Sequence, residues 1–374
     1  MFQSYLVYGL LAILMIGAIN IGPSKKTIAR RFSFTFREPG ILFSVLIFAI
    51  ISGIRHDVGV DYFSYYDSYI GVLNNYNIDI DHFELGFQWI IYGLVYFKAH
   101  YFWFFGLIAL IQIFFIYYAF KDKRFILPYL IFLIISGGWY FHLMNEMRQG
   151  IVVAMFVYAV KFIFERRAIP YFIIVFIGYF IHKSALILIP IYFIFIIDKD
   201  FFKNIWLQII LLLLAMFLTT TSIWNYAMSY IELVVVALSL KKYDNIASLM
   251  SIFEHSFTKG LRYYVPFTLN IIIIIFSHRL KKYFYSSMIR VYYNLFILGA
   301  ISSLLFYNNV LMQRPVRYFT IMEPILAAYL LCYLWNNKRN NPIYLLIFVF
   351  IIILEIGVLH VYLLSDHHTR FLFF

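Results

Sequence analysis

In the stretch GIRHDVGVDYFSYYDSY (Gly53 to Tyr69), an arginine, a histidine, three aspartates and five aromatic residues crowd together next to apolar runs. A connecting loop has no need of them. Asp57 and Asp61 can supply a general base that takes the proton of a hydroxyl, or an electrostatic partner for arginines. Gly59 permits a tight turn between them. Tyr62, Tyr65 and Tyr66 offer flat apolar faces with a hydroxyl tip, suited to sugar rings; the competing reading is an aromatic belt at a membrane surface. Farther along stand Glu84, Glu146 with Arg148, His182 with Lys183, and Arg314 with Arg317. A guanidinium grips phosphate through two parallel hydrogen bonds, and a histidine acts as base or as phosphate donor. Plainer uses compete for each: arginines at helix ends snorkel to lipid phosphates, Glu84 caps a helix, and His182 joins two helices.

The elements that must position these groups are hydrocarbon. The chain has 374 residues, 64% hydrophobic and only 13% charged, where soluble domains carry nearer a quarter charged. Apolar runs recur along its whole length, which predicts an all-α polytopic membrane protein forming a single integral membrane domain over 1–374. The first run begins near Ser4 without a basic leader or a small-residue cleavage site, and reads as a membrane helix. The net charge of +12 sits in short loops and reads as topogenic, so nucleic acid is not an expected partner. One cysteine, Cys332, excludes an internal disulfide and any cysteine-built metal site. Asp79–Asp81 (DID) resembles a metal-binding Asp-x-Asp without the surrounding fold, and Asp366, His367 and His368 read as a frayed tail. No metal site is expected.

Basic clusters after the first run, at Lys121–Arg124, near Arg166, at Lys199 and Lys203, near Lys281 and at Lys338 all lie on one side if the segment 84–98 does not cross. That segment is therefore expected to be interfacial or re-entrant on the outer face, leaving about twelve transmembrane helices. The unusual polar residues then fall on the outer side, with two long outer elements, 55–100 and 223–262; the second reads as amphipathic helices. Arg148, His182 with Lys183, and Arg314 with Arg317 are each expected at a helix N-terminus. Pro315 is expected at the first helical position. Such ends favour an anion, here a phosphate or diphosphate. Glu323 and Glu355 remain within the bilayer, where pairing with Arg314, Arg317 or another buried polar group is expected.

The blocks RHDVGVDYFSYY, FELGF, NEMRQGIVVAMFVYAVKFIFERR, FIHKSALILIP and RPVRYF occur in that order between about residues 40 and 335. In this the chain resembles the EpsG family of bacterial exopolysaccharide proteins, relatives of the Wzy O-antigen and capsule polymerases. The resemblance implies a glycosyltransferase of the bacterial inner membrane, working on its periplasmic face. It would pass a growing glycan from undecaprenyl diphosphate to a lipid-linked repeat unit. On that reading Arg148, Arg314 and Arg317 hold the diphosphate, and Arg55 joins them or positions Asp61. Asp61, then His182, then Glu84 or Glu146 is the base. Tyr62, Tyr65, Tyr66 and Tyr318 carry the glycan. No cofactor or divalent metal is expected, because arginines take the part of the metal. Membrane lipids, a chain-length regulator and a flippase are the expected partners. A flippase for lipid-linked sugars would place polar residues near the bilayer midplane in two related halves. An O-antigen ligase would differ mainly in its acceptor.

Overall fold

The computed structural model describes residues 2–21, 38–76, 78–222, 224, 226–228, 230, 259–285, 287–365 and 367–371. The chain divides into two compact units, Met1–Ile197 with Ala327–Phe374, and Asp198–Leu326. The first contains α1 (Phe2–Asn20), α2 (Pro39–Gly53), α3 (Tyr62–Leu73), α4 (Leu85–Tyr96), α5 (Tyr101–Ala119), α6 (Leu127–Ser136) and α7 (Trp139–Asn145). It continues through α8 (Met147–Phe164), α9 (Ala168–Ile181) and α10 (Leu188–Phe195). The second holds α11 (Ile205–Leu218), α12 (Leu261–Tyr283), α13 (Ser287–Leu305) and α14 (Val310–Thr320). Then α15 (Met322–Asn337) leads the chain back to the first unit, which ends with α16 (Pro342–Ser365).

Helix α8 is apolar all round and lies enclosed at the centre of its unit, packed between α5 and α9, with α2 on the far side of α5. Beneath the loop that precedes α3, an aromatic core joins Tyr62, Tyr65, Tyr69, Phe83, Phe87 and Phe104. In the second unit the chain around Asp198–Phe202 is tied to α12 and α13. Arg290 pairs with Asp198 at 2.8 Å, Lys281 with Asp200 at 2.9 Å, and Asn294 donates to the Lys199 carbonyl at 2.7 Å.

Counting α14 with α15 as one span, 312–337, seven described helices are long and apolar enough to cross a membrane, or eight if 121–136 and 139–145, bent by 67° at their junction, form one span. The protein is polytopic and helical, but these helices do not supply the twelve full-length crossings expected. Four of the expected crossings, 40–54, 169–182, 184–198 and 204–222, contain helices only 10–17 residues long, 39–53, 168–181, 183–195 and 205–218. At 1.5 Å per residue they fall short of the ~20 residues that ~30 Å of hydrocarbon requires. Composition hid this because apolar side chains continue through places where the backbone leaves the helix, as at Gly137–Gly138 and His182. The 84–98 segment contains the twelve-residue α4, too short to cross alone. The amphipathic helices expected in 223–262 lie largely outside the described residues.

His367 and His368 do not lie in a frayed tail as expected, and Asp366 lies outside the described residues. Residues His367–Thr369 form a short 3-10 turn held by both ends of the first unit. The Tyr8 hydroxyl donates to the Thr369 carbonyl at 2.8 Å, and the Phe371 N–H donates to Ser4 Oγ at 3.1 Å. Gly59 N–H donates to the His368 carbonyl at 2.7 Å, tying this tail to the loop between α2 and α3.

Candidate active site

The site grows from a double interruption of one apolar segment. Gly138, at φ +85°, ends α6 and turns the chain into the short α7. A second break at Glu146 separates α7 from α8. Carbonyls released by that break need donors. Buried Gln112 of α5 supplies them, its Nε2 donating to Leu143 at 3.0 Å and to Met147 at 3.1 Å.

Loop 54–61 rests on this second break. Asp61 N–H donates to Asn145 Oδ1 at 2.8 Å, and Arg55 Nη2 contacts Met147 Sδ at 3.1 Å. Gly59 turns the loop at φ +107°, and a Cβ there would stand 3.3 Å from Asn145. Arg55 Nη1 donates to the Val58 carbonyl, closing the loop on itself. The Arg55 guanidinium is completely buried, 4.7 Å from the Phe105 ring centre and 5.4 Å from that of Tyr62. Ring faces, a carbonyl and a sulfur replace the carboxylate that a buried cation ordinarily requires. Burial pushes its pKa down to about 10, which still leaves it charged at neutral pH.

Arg148 lies in the first turn of α8 and pairs with Glu84, the residue that precedes α4. Its Nε points to the Tyr65 hydroxyl at 3.5 Å, and its guanidinium lies 4.8 Å from the Phe83 ring centre. The second Glu84 oxygen accepts from Lys183 N–H at 3.2 Å and lies 3.3 Å from His182 Nδ1. That imidazole is near enough for electrostatic pairing, though its N–H is not aligned for a hydrogen bond. Burial raises the cost of the Glu84 charge, but His182 and Arg148 outweigh it and hold the carboxyl at about 2. His182 is extended, at φ −155° and ψ 120°, between α9 and the 3-10 turn Lys183–Ile187. One carboxylate thus gathers an arginine, a histidine and a backbone amide from three separate stretches of chain.

A family model described as the EpsG family matches residues 40–368. The chain belongs to the EpsG family. This is a Wzy-type polysaccharide polymerase-like family. The match runs beyond the 40–335 read from the sequence and takes in α16 and the tail pinned beneath Gly59. No curated protein and no solved structure matches the chain.

In this EpsG-family chain, Arg148, Glu84, His182 and Tyr65 come together, and Asp61 and Glu146 flank the same α7–α8 break. Arg148 pairs with Glu84, where the sequence had placed it beside Glu146. Glu84 precedes α4 without capping it by its side chain, which faces Arg148 and His182. Arg55 does not reach Asp61 and presents no open face, so neither role expected of it has a contact behind it. Tyr62, Tyr65 and Tyr318 are buried and offer no open platform for a sugar; Tyr62 stacks on Phe105 at 4.8 Å between ring centres. Tyr66 is half-buried.

The second unit brings a larger correction. Helix α14 begins at Val310, with Asn309 as its cap accepting from Met312 N–H at 2.8 Å. Pro315 is inside that helix rather than at its start, and Arg317 is in its last turn. Neither Arg314 nor Arg317 is therefore in the first turn, where the dipole argument applies, and α14 runs on into α15 as one apolar span, 312–337. His182 and Lys183 likewise precede a 3-10 turn rather than an α-helix. Glu323 occupies the first turn of α15. The DID sequence is a local turn, with Asp81 N–H donating to Asp79 Oδ1 at 2.7 Å.

Asn145, Gln112, Phe83 and Phe87 escaped the sequence reading. A lone glutamine inside the apolar run of α5 was the available signal for Gln112.

Proposed function

We propose that this protein is a polysaccharide polymerase of the bacterial inner membrane. It transfers a growing glycan from undecaprenyl diphosphate to a lipid-linked repeat unit at the outer face. The gathering of Arg148, Glu84 and His182 at the head of α8, within an EpsG-family chain, carries this reading. With Nε and Nη1 engaged, Arg148 keeps Nη2 donors for an anion, and the first turn of α8 adds its own N–H groups. The glycosyl bond to diphosphate breaks as the acceptor hydroxyl oxygen bonds to the anomeric carbon. The electron pair departs with the diphosphate, where Arg148 stabilises it. Arg314 and Arg317 are held in reserve for the same ligand, on the strength of the RPVRYF block alone.

The acceptor's proton goes to His182 Nε2. Glu84 beside Nδ1 favours the tautomer with its lone pair at Nε2 and stabilises the imidazolium that forms. Glu84 itself, held near 2, is too weak a base for a hydroxyl and acts as the positioning residue. Asp61 is second choice as base, because the structure shows its backbone amide anchored while its side chain does not cap α3. Arginines supply the neutralisation, so no divalent ion enters the scheme.

The test is purified protein with a synthetic undecaprenyl diphosphate repeat unit. A ladder of longer lipid-linked glycans, undiminished in chelator, is the expected result. Transfer only to a different acceptor would identify a ligase, and movement across liposomes without new bonds a flippase.

A further inference from the structure

Glu355 is the one titratable side chain in the long helix α16 that lies near its middle, and only 4% of the residue is exposed. It makes no hydrogen bond or ion pair with a described residue, and no neighbouring charge acts on it. Its Oε2 is directed at the interruption between α6 and α7: a Cβ on Gly137 would lie 2.8 Å from Oε2 and 2.7 Å from the Leu133 carbonyl oxygen. A buried carboxylate within an apolar span costs several kcal/mol unless something neutralises it. The same point is the C-terminal end of α6, where the dipole is negative and the last carbonyls lack helical partners. A carboxylate facing a helix C-terminus is repelled, so the arrangement needs a positive charge between them.

We infer that Glu355 and the α6–α7 break form a binding site for one monovalent cation, a proton or an alkali ion. The site is separate from the Arg148 cluster and independent of the polymerase reading. Its consequence reaches that cluster, because the break sets the direction of α7, and α7 carries Asn145 to loop 54–61. An occupied site holds the break, and an empty one loosens it.

Other titratable groups on the surrounding elements set the controls. α6 and α15 bring Tyr129, Tyr329, Tyr333 and Cys332, none charged at neutral pH. α7 brings Tyr140 and His142. α1 brings Tyr8, and Tyr5 bonded to His360 of α16. Tyr344 and Tyr362 also lie on α16, and the following turn brings His368, 3.6 Å from Asp57. Glu355→Gln leaves all of these in place.

The experiment measures the melting temperature of the purified full-length protein against pH. It is repeated against sodium replaced by choline at constant ionic strength, with wild type and Glu355→Gln side by side. The wild type should gain several degrees on binding, and the variant should lose that response. A gain with sodium at fixed alkaline pH identifies the alkali ion. A gain on acidification, indifferent to sodium, identifies the proton. Infrared spectra of the wild type give a second readout that does not need the variant to fold, since a bound proton appears as a carboxylic-acid carbonyl band. Superimposable melting profiles together with no such band would overturn the inference.

Discussion

Two charged corners of this protein obey different rules. At Asp198–Phe202 in the second unit two acids each hold one cation: Arg290 meets Asp198, and Lys281 meets Asp200 through both oxygens. The groups are partly exposed, and the pairs tie loop to helix. Around loop 54–61 of the first unit the accounts do not balance. Arg55 is buried with no carboxylate among its contacts, while Glu84 faces Arg148 and His182 together. Such one-to-one pairing anchors structure. One carboxylate shared between Arg148 and His182 at a helix start, maintained by aromatic packing, leaves Arg148 capacity for an anion from outside.

The sharpest way to break this contrast is to remove Arg148. Arg148→Ala should lower glycan elongation by about 10²–10³-fold, the usual consequence of losing one donor to developing negative charge. The same substitution strands Glu84, so Arg148→Ala with Glu84→Gln should recover stability without recovering elongation. Near-normal elongation in the double variant would place the anion site elsewhere. Next in size is His182→Gln, expected to lower kcat by about 10²-fold or more with little change in KM, as for a general base.

Stability follows third. Glu84 is held at about 2 against an ordinary 4.5. Its contribution, on the order of 3 kcal/mol, is complete above about pH 4.5 and is lost as pH falls from there toward 2. Acid unfolding of Glu84→Gln should lack that step, and identical acid profiles would dissolve the proposed triad. Gly59→Ala should destabilise by about 1–3 kcal/mol, because a φ of +107° strains any Cβ and Asn145 stands in its way. The smallest effect belongs to the other corner. Arg290→Ala should cost at most about 1 kcal/mol in thermal unfolding and leave elongation unchanged, as partly exposed pairs do. A large loss of elongation there would erase the distinction between the corners.

Legibility in the sequence followed the range of the physics involved. Arg148 in the first turn of α8 was readable, because a local run of apolar residues after NEMRQ defines where that helix begins. Pro315 misled for an equally local reason: proline suits a first turn, but Asn309 six residues earlier makes the better cap and captures the start. The tyrosines of YFSYY announced an aromatic surface, yet Tyr62 and Tyr65 face the core. Alternation of faces on α3 depends on where α4 and α5 pack, which no short pattern contains.

Composition alone required a helical membrane protein, because a chain this apolar and this poor in charge can satisfy its backbone in a bilayer only by internal hydrogen bonds. Residue order alone also carried the family likeness and singled out the polar residues that hydrocarbon would not tolerate without cause. Only the folded chain decided which of them meet. Glu84 reaches across 64 positions to Arg148 and 98 to His182 because α4 packs on α9 while the α7–α8 break turns Arg148 toward both. Charge pairing at short range is set by packing at long range, and packing is what a one-dimensional pattern cannot contain.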